Sequence, residues 1–153
     1  MDYPDKVSGL SLIASAGLGS EINHEYIQGF IDAESRRDLK PLMKQLVGDP
    51  KLVNRSMIDD VLKFKRIDGV TEALQTIANA FIGSGAQSEN FRDGLAALKI
   101  PTQIIWGSVD QIIPVSHAEG NGAAEVKVLE NYGHLVQLEA AGEVNQLLEA
   151  HIN

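Results

Sequence analysis

Three short β-type runs alternate with helical stretches along the 153 residues, which is the arrangement a parallel α/β sheet requires. Val7–Ala14 is a strand-length apolar segment that leaves through Ser15-Ala-Gly17, small residues that let a strand turn sharply into a loop or helix. It reads as a buried strand. From Ile22 to Phe81 the pattern becomes helical. Val70, Leu74, Ile77, Ala78 and Phe81 fall on one stripe, and Met57, Ile58, Val61 and Leu62 form another one segment earlier. Breaks at Gly48-Asp-Pro50 and Asp68-Gly69, with Asn54 as the N-cap before Arg55, divide this region into about four helices. A loop of small and polar residues, Gly83–Asn90, precedes a short helix carrying Leu95 and Leu98. Pro101 then opens the run Thr102–Trp106, a second buried strand stopped by Gly107. The third strand is expected over Ala124–Leu129, where Glu125 and Lys127 alternate with Val126 and Val128. The first two strands read as central and the third as an edge. A last helix, about Ala140 to His151, places Val144, Leu147, Leu148 and Ile152 on one face.

Composition narrows the classes of function. A 44% hydrophobic, 22% charged chain of this length supports one core. A net charge of -8 and the lack of any basic run leave no face for a phosphate backbone, so no nucleic-acid partner is expected. Without cysteine there is no disulfide, zinc-thiolate site, iron–sulfur cluster or catalytic thiol. The longest apolar run, Leu10–Leu18, is too short and too interrupted by Ser and Gly to span a bilayer. The opening Met-Asp-Tyr-Pro-Asp-Lys has no secretion-signal character. A cytoplasmic protein without a membrane association is the expectation.

Ligands of open parallel sheets sit beyond the carboxyl ends of the strands, and two residues there carry chemistry. Asp110 follows the second strand in Trp106-Gly-Ser-Val-Asp-Gln-Ile-Ile-Pro114, and His134 follows the third in Asn131-Tyr-Gly-His-Leu. On neighbouring strands, the carboxylate is placed to accept a hydrogen bond from the imidazole. Such a bond fixes the tautomer and stabilises the imidazolium, as a general base serving a serine nucleophile requires. Taken singly, either residue reads more simply as an ordinary turn or capping residue; it is the pair, in this order on successive strands, that points to catalysis. Other features have plainer readings. Gly17-Leu-Gly19 lacks the third glycine of a dinucleotide loop, because position 22 is Ile. His24 with Glu21 and Glu25 matches no metal-ligand spacing, and no metal is expected. Arg36 and Arg37 are candidates to meet a coenzyme A phosphate or a carboxylate substrate, against the reading of a solvated helix face. Trp106 is a candidate substrate contact or a core aromatic at a strand end. His117 reads as a loop residue and His151 as a cation near a helix C-terminus.

Trp106-Gly107-x-x-Asp110 with Pro114, then a strand, then Gly133-His134 with Glu139, resembles the acid and histidine segments of the α/β-hydrolase superfamily. The resemblance runs over nearly the whole chain: Tyr3–Ile13 looks like that fold's sixth strand, and the helical stretch after it looks like its inserted lid. Ala14–Asn23 and the lid segments Ala33–Leu42 and Leu62–Val70 look most like the acyltransferase (E2) component of acetoin dehydrogenase systems, a dihydrolipoamide acetyltransferase. What the resemblance implies is the C-terminal part of an α/β-hydrolase fold, with about three parallel strands and a helical lid after the first. Residues 1–20 would hold the strand and the approach to the lid, 21–88 the lid, and 89–153 the C-terminal sheet and helices with the acid and the histidine. It further implies that His134 is the base and Asp110 its acid, and that a lipoyl thioester and CoA are substrates, with no cofactor bound by the chain itself. No window reads GxSxG. The nucleophile half and the lipoyl domain of such proteins are absent from these residues, so the chain alone is expected to be inactive. An α/β-hydrolase acting on an ester or carbon–carbon bond, and a non-catalytic interaction fragment, remain open beside acyl transfer. The first strand would keep an unpaired edge, which favours a homo-oligomer, and the resemblance adds other subunits of a dehydrogenase complex as partners.

Overall fold

A computed structural model describes residues 6–122 and 124–152. The first five residues of the segment assigned to the first strand and lid approach lie outside the described residues. The elements in chain order are β1 (Leu10–Ile13), α1 (His24–Asp32), α2 (Arg36–Gln45), α3 (Arg55–Lys65), α4 (Val70–Phe81), α5 (Arg92–Ala96), β2 (Thr102–Gly107), β3 (Glu125–Leu129), α6 (Val136–Glu139) and α7 (Ala141–Ile152). The strands form one parallel sheet in the order β1-β2-β3, with Leu12 opposite Ile104 and Ile104 opposite Val126.

β2 is the centre of the molecule. Its side chains alternate between the two faces of the sheet. Ile104 and Trp106 pack with Ala14, Leu18, Leu95, Ile112 and Ile113 on one face, while Ile105 packs with Leu129, Val136, Ala140 and Val144 on the other. Both faces of β2 are therefore covered, as its apolar run Ile104–Trp106 requires. Gln103 is the polar exception. Its amide donates to Ser11 Oγ at 2.9 Å and to the Leu147 carbonyl at 3.3 Å, which ties β1 and α7 to the strand between them.

Several elements differ from what the sequence pattern predicts. β1 is not central and is shorter than Val7–Ala14. It has a strand partner on one side only among the described residues, its four residues are half-buried, and Ala14 with φ of 43° turns the chain away. In β3, Val126 and Val128 are 37% and 39% exposed, so the apolar side of that alternation lies open. The last helix forms where expected, as α7, and a separate short helix, α6, precedes it, parted from it by Ala140 (φ −115°, ψ 38°); Ile152 is exposed. Val144 alone of that face is buried.

The lid comprises α1 to α4 around its own core of Ala33, Leu39, Met43, Val47, Val53, Ile58 and Leu62. Its helix starts follow capping chemistry. Asn23, Ser35 and Asn54 each accept a hydrogen bond from the backbone N–H three residues on. Ser35 supplies a helix boundary that the pattern reading did not locate. α4 begins at Gly69, whose φ of 83° is left-handed, and it has no side-chain cap. None of its stripe is buried: Ile77 and Phe81 are both more than half exposed. α1 is held at its C-terminal end by Lys65, a buried ammonium that donates to the carbonyls of Phe30, Ile31 and Ala33. No helix among the described residues is long and apolar enough to cross a membrane.

Candidate active site

The two loops that leave β2 and β3 run side by side because their backbones are stitched together. Ser108 N–H donates to the Leu129 carbonyl at 2.9 Å, Val109 N–H to the Tyr132 carbonyl at 3.0 Å, and Asn131 N–H to Ser108 Oγ at 2.9 Å. The approach is so close that only glycine fits. A Cβ on Gly107 would lie 2.2 Å from the Gly133 oxygen and 2.3 Å from the Tyr132 oxygen. A Cβ on Gly133 would lie 2.8 Å from Val47 Cα.

This stitching brings Asp110 and His134 together. Asp110 Oδ2 is 2.9 Å from His134 Nδ1. The other carboxylate oxygen accepts from the N–H groups of Ile112 and Ile113 at 2.8 and 3.1 Å, so the Asp110 side chain is fully engaged as well as fully buried, at 0% exposure. A carboxylate accepts and does not donate, so the contact selects the tautomer with the proton on Nδ1. The imidazole is 22% exposed. That leaves Nε2 as the lone-pair nitrogen available for proton transfer.

Beneath the pair, Trp106 is 0% exposed and its indole N–H donates to the Ile113 carbonyl at 3.3 Å. Trp106 thus supports the turn that grips Asp110 and is placed in the core; no face of its ring is open to a substrate. Arg36 and Arg37 lie on the exposed side of the lid. The Arg36 guanidinium pairs with Asp59 (Nη2 to Oδ2, 3.0 Å), which holds that carboxyl below its ordinary pKa. Both arginines line a surface groove between α2 and α3 with Ser35, Asp59, Lys63 and Arg66, and neither Asp110 nor His134 borders it. The structure therefore does not bring either arginine to the acid–histidine pair.

Two side chains have roles that sequence reasoning missed. Glu139 was visible only as part of a motif, yet its carboxylate accepts from the N–H of Gly133 at 2.7 Å and of Gly48 at 2.7 Å. His117 is not a simple loop residue. It is 3% exposed and its Nε2 is 2.8 Å from Glu21 Oε2, a contact that holds the Glu21 carboxyl down to about 2. The partners are 96 positions apart in the chain, so no local signal marks the pair. His24 is an exposed residue at the start of α1. The described residues contain no group of three or more His, Asp or Glu side chains arranged to hold a metal ion.

A parallel sheet with an acid after one strand, a histidine after the next and a helical insertion after the first defines the C-terminal part of an α/β-hydrolase fold, and this chain has that fold. Solved structures agree. A meta-cleavage product hydrolase from Pseudomonas fluorescens superposes with a TM-score of 0.85 over 99% of this chain and 58% of its own, at 20% identity. The 2-hydroxy-6-oxo-6-phenylhexa-2,4-dienoate hydrolase of a Rhodococcus strain does so with a TM-score of 0.74 over 99% of this chain and 57% of its own, at 18% identity. In sequence the chain is 50% identical over 149 residues to the dihydrolipoyllysine-residue acetyltransferase component of the acetoin cleaving system of Pseudomonas putida, covering 97% of this chain and 40% of that protein. The protein of the same description from Cupriavidus necator is 42% identical, over 99% of this chain and 41% of its own length. The chain thus spans about two fifths of the curated relatives it matches in this way. No protein-family model matches it.

Proposed function

We propose that His134 is a general base and Asp110 its orienting acid in an acyl-transfer site, and that the acyl group passes from a lipoyl thioester to CoA. The observation that carries this reading is the 2.9 Å contact between His134 Nδ1 and the buried Asp110 carboxylate. The names of the two acetyltransferase relatives support the choice of acyl transfer. In the proposed reaction His134 Nε2 accepts the proton of an attacking serine hydroxyl as its oxygen bonds the acyl carbon. The imidazolium returns that proton to the departing thiol as the carbon–sulfur bond breaks. The CoA thiol then attacks the acyl-enzyme, gives its proton to Nε2, and the serine recovers it on release. Because the 153 residues contain no GxSxG window, the serine belongs to a segment outside them, and the chain by itself is proposed to be catalytically silent. Arg36 and Arg37 stay in this reading only as outer contacts for an anionic part of CoA. Other subunits of a dehydrogenase assembly, in the cytoplasm, are the proposed partners, along with self-association at the open edge of β1.

Hydrolysis of an ester or carbon–carbon bond is the second reading, favoured by the names of the superposed hydrolases. A chimera in which this chain replaces the matched segment of the Pseudomonas putida relative tests both. Acetyl transfer to CoA that falls about 10³–10⁴-fold on His134→Ala or Asp110→Asn is the expected result. Ester hydrolysis without transfer would select the second reading. Turnover indifferent to both substitutions would remove His134 and Asp110 from catalysis and leave an interaction fragment.

A further inference from the structure

We propose that Glu139 is a positioning residue for His134, its single carboxylate holding the histidine loop against the lid turn at Gly48. The inference rests on the reading of His134 as the base. Glu139 Oε1 accepts from the N–H of Gly133, the residue before His134, at 2.7 Å. Oε2 accepts from Gly48 N–H at 2.7 Å and from Asp49 N–H at 3.4 Å. On the other side of the histidine, Leu135 N–H donates to the Leu46 carbonyl at 2.9 Å. Both neighbours of His134 are therefore fastened to the same lid segment, one directly and one through Glu139.

The fastening leaves no slack. Gly48 approaches Asn131 so closely that a Cβ would lie 2.0 Å from its carbonyl oxygen, and Gly133 lies against Val47 and Gly48 in the same way. The segment Gly48–Asp49 leads into the 3-10 turn Pro50–Leu52 and then α3, so the bond reaches the middle of the lid. A carboxylate is needed because both oxygens must accept. Glutamine offers one acceptor and turns an N–H₂ donor toward the other backbone N–H, which breaks one half of the bridge. Hydrogen bonds to a charged acceptor are among the stronger ones in proteins, so one side chain sets the spacing between lid and base.

The test is hydrogen exchange measured by NMR on the chain itself, with the His134 Nδ1–H proton identified as the imidazole resonance lost in Asp110→Asn. In Glu139→Gln, exchange of the Gly48 and Gly133 amides and of the His134 Nδ1–H is expected to accelerate together by about tenfold or more. Faster amides with an unchanged imidazole proton would overturn the proposal, since Glu139 would then hold only backbone. Absence of any Asp110-dependent imidazole proton in the wild type would overturn the acid–histidine pair itself, a result the Glu139 variant cannot imitate. If Glu139→Gln does not fold, the wild type decides through urea dependence. Equal slopes for the two amides and the imidazole proton, below the slope of global unfolding, support the coupling, and a separate slope for the imidazole proton, or the global slope for all three, refutes it.

Discussion

Substituting Gly107 by alanine is the sharpest probe of how the site is built. The new Cβ would stand 2.2 Å from the Gly133 oxygen and 2.3 Å from the Tyr132 oxygen, where ordinary carbon–oxygen contacts begin near ~3.3 Å. The histidine loop has to retreat by roughly 1 Å. That motion strains a packed junction at about 1–3 kcal/mol. It also weakens the Val109–Tyr132 hydrogen bond, at about 1 kcal/mol, and the bond from Gly133 to the Glu139 carboxylate, at about 1.5–3 kcal/mol. The expected destabilisation is about 3.5–7 kcal/mol, a large part of the ~5–15 kcal/mol that holds a domain together. Trp106 is the single tryptophan and is fully buried, so its fluorescence reports unfolding in urea. With a slope of about 2 kcal/mol per molar, the midpoint should fall by about 2–3.5 M. In the chimera, the same retreat of His134 should cost about 100-fold in turnover. A variant whose midpoint and turnover match the wild type would refute the claim that close backbone approach positions the histidine.

Other expectations follow from single contacts. Lys65→Met leaves the Phe30, Ile31 and Ala33 carbonyls without their buried donor and should cost about 2–4 kcal/mol by the same urea assay. Glu21 has its pKa lowered from 4.5 to about 2 by the His117 hydrogen bond, so it stabilises the fold above pH 4.5 and that contribution disappears as pH falls toward 2. Glu21→Gln should therefore flatten the decline of stability in that window, an effect that added salt reduces because the carboxylate is exposed. Arg36→Ala removes an exposed ion pair with Asp59 and should leave the calorimetric melting temperature close to that of the wild type. Light scattering across a concentration series should give a dimer or larger species through the β1 edge, and a monomer at every concentration would remove self-association from the account.

How far the sequence reaches depends on how local each signal is. β2 is legible because Ile104, Ile105 and Trp106 form an apolar run bounded by Pro101 and Gly107, the pattern of a short strand covered on both faces. Asn54 was legible because its side chain bonds three residues ahead. β1 is shorter than its apolar run because Ala14 takes a φ of 43° and ends the strand, a conformation that the apolar pattern does not signal. The α4 stripe was correctly periodic, but periodicity does not say whether anything covers it, and Ile77 and Phe81 lie open. At the site, Asp110 and His134 were readable from their places just past two strands. Trp106 and Arg36 were not placed by sequence: burial decides the first, and a partner on another helix, Asp59, decides the second. The Glu139 bond to Gly133 spans six positions, but its bond to Gly48 and the His117 contact with Glu21 span 91 and 96, which no local pattern encodes.

The nitrogen-15 shifts of the His134 ring in the neutral imidazole form report most directly the hydrogen bond between His134 Nδ1 and Asp110 on which the proposed chemistry depends. A single tautomer is predicted, protonated at Nδ1 with Nε2 bearing the lone pair, and reverting to a tautomer mixture in Asp110→Asn. A ring protonated at Nε2, or a wild-type mixture that Asp110→Asn leaves unchanged, would contradict the assignment of His134 as a base held ready by its acid.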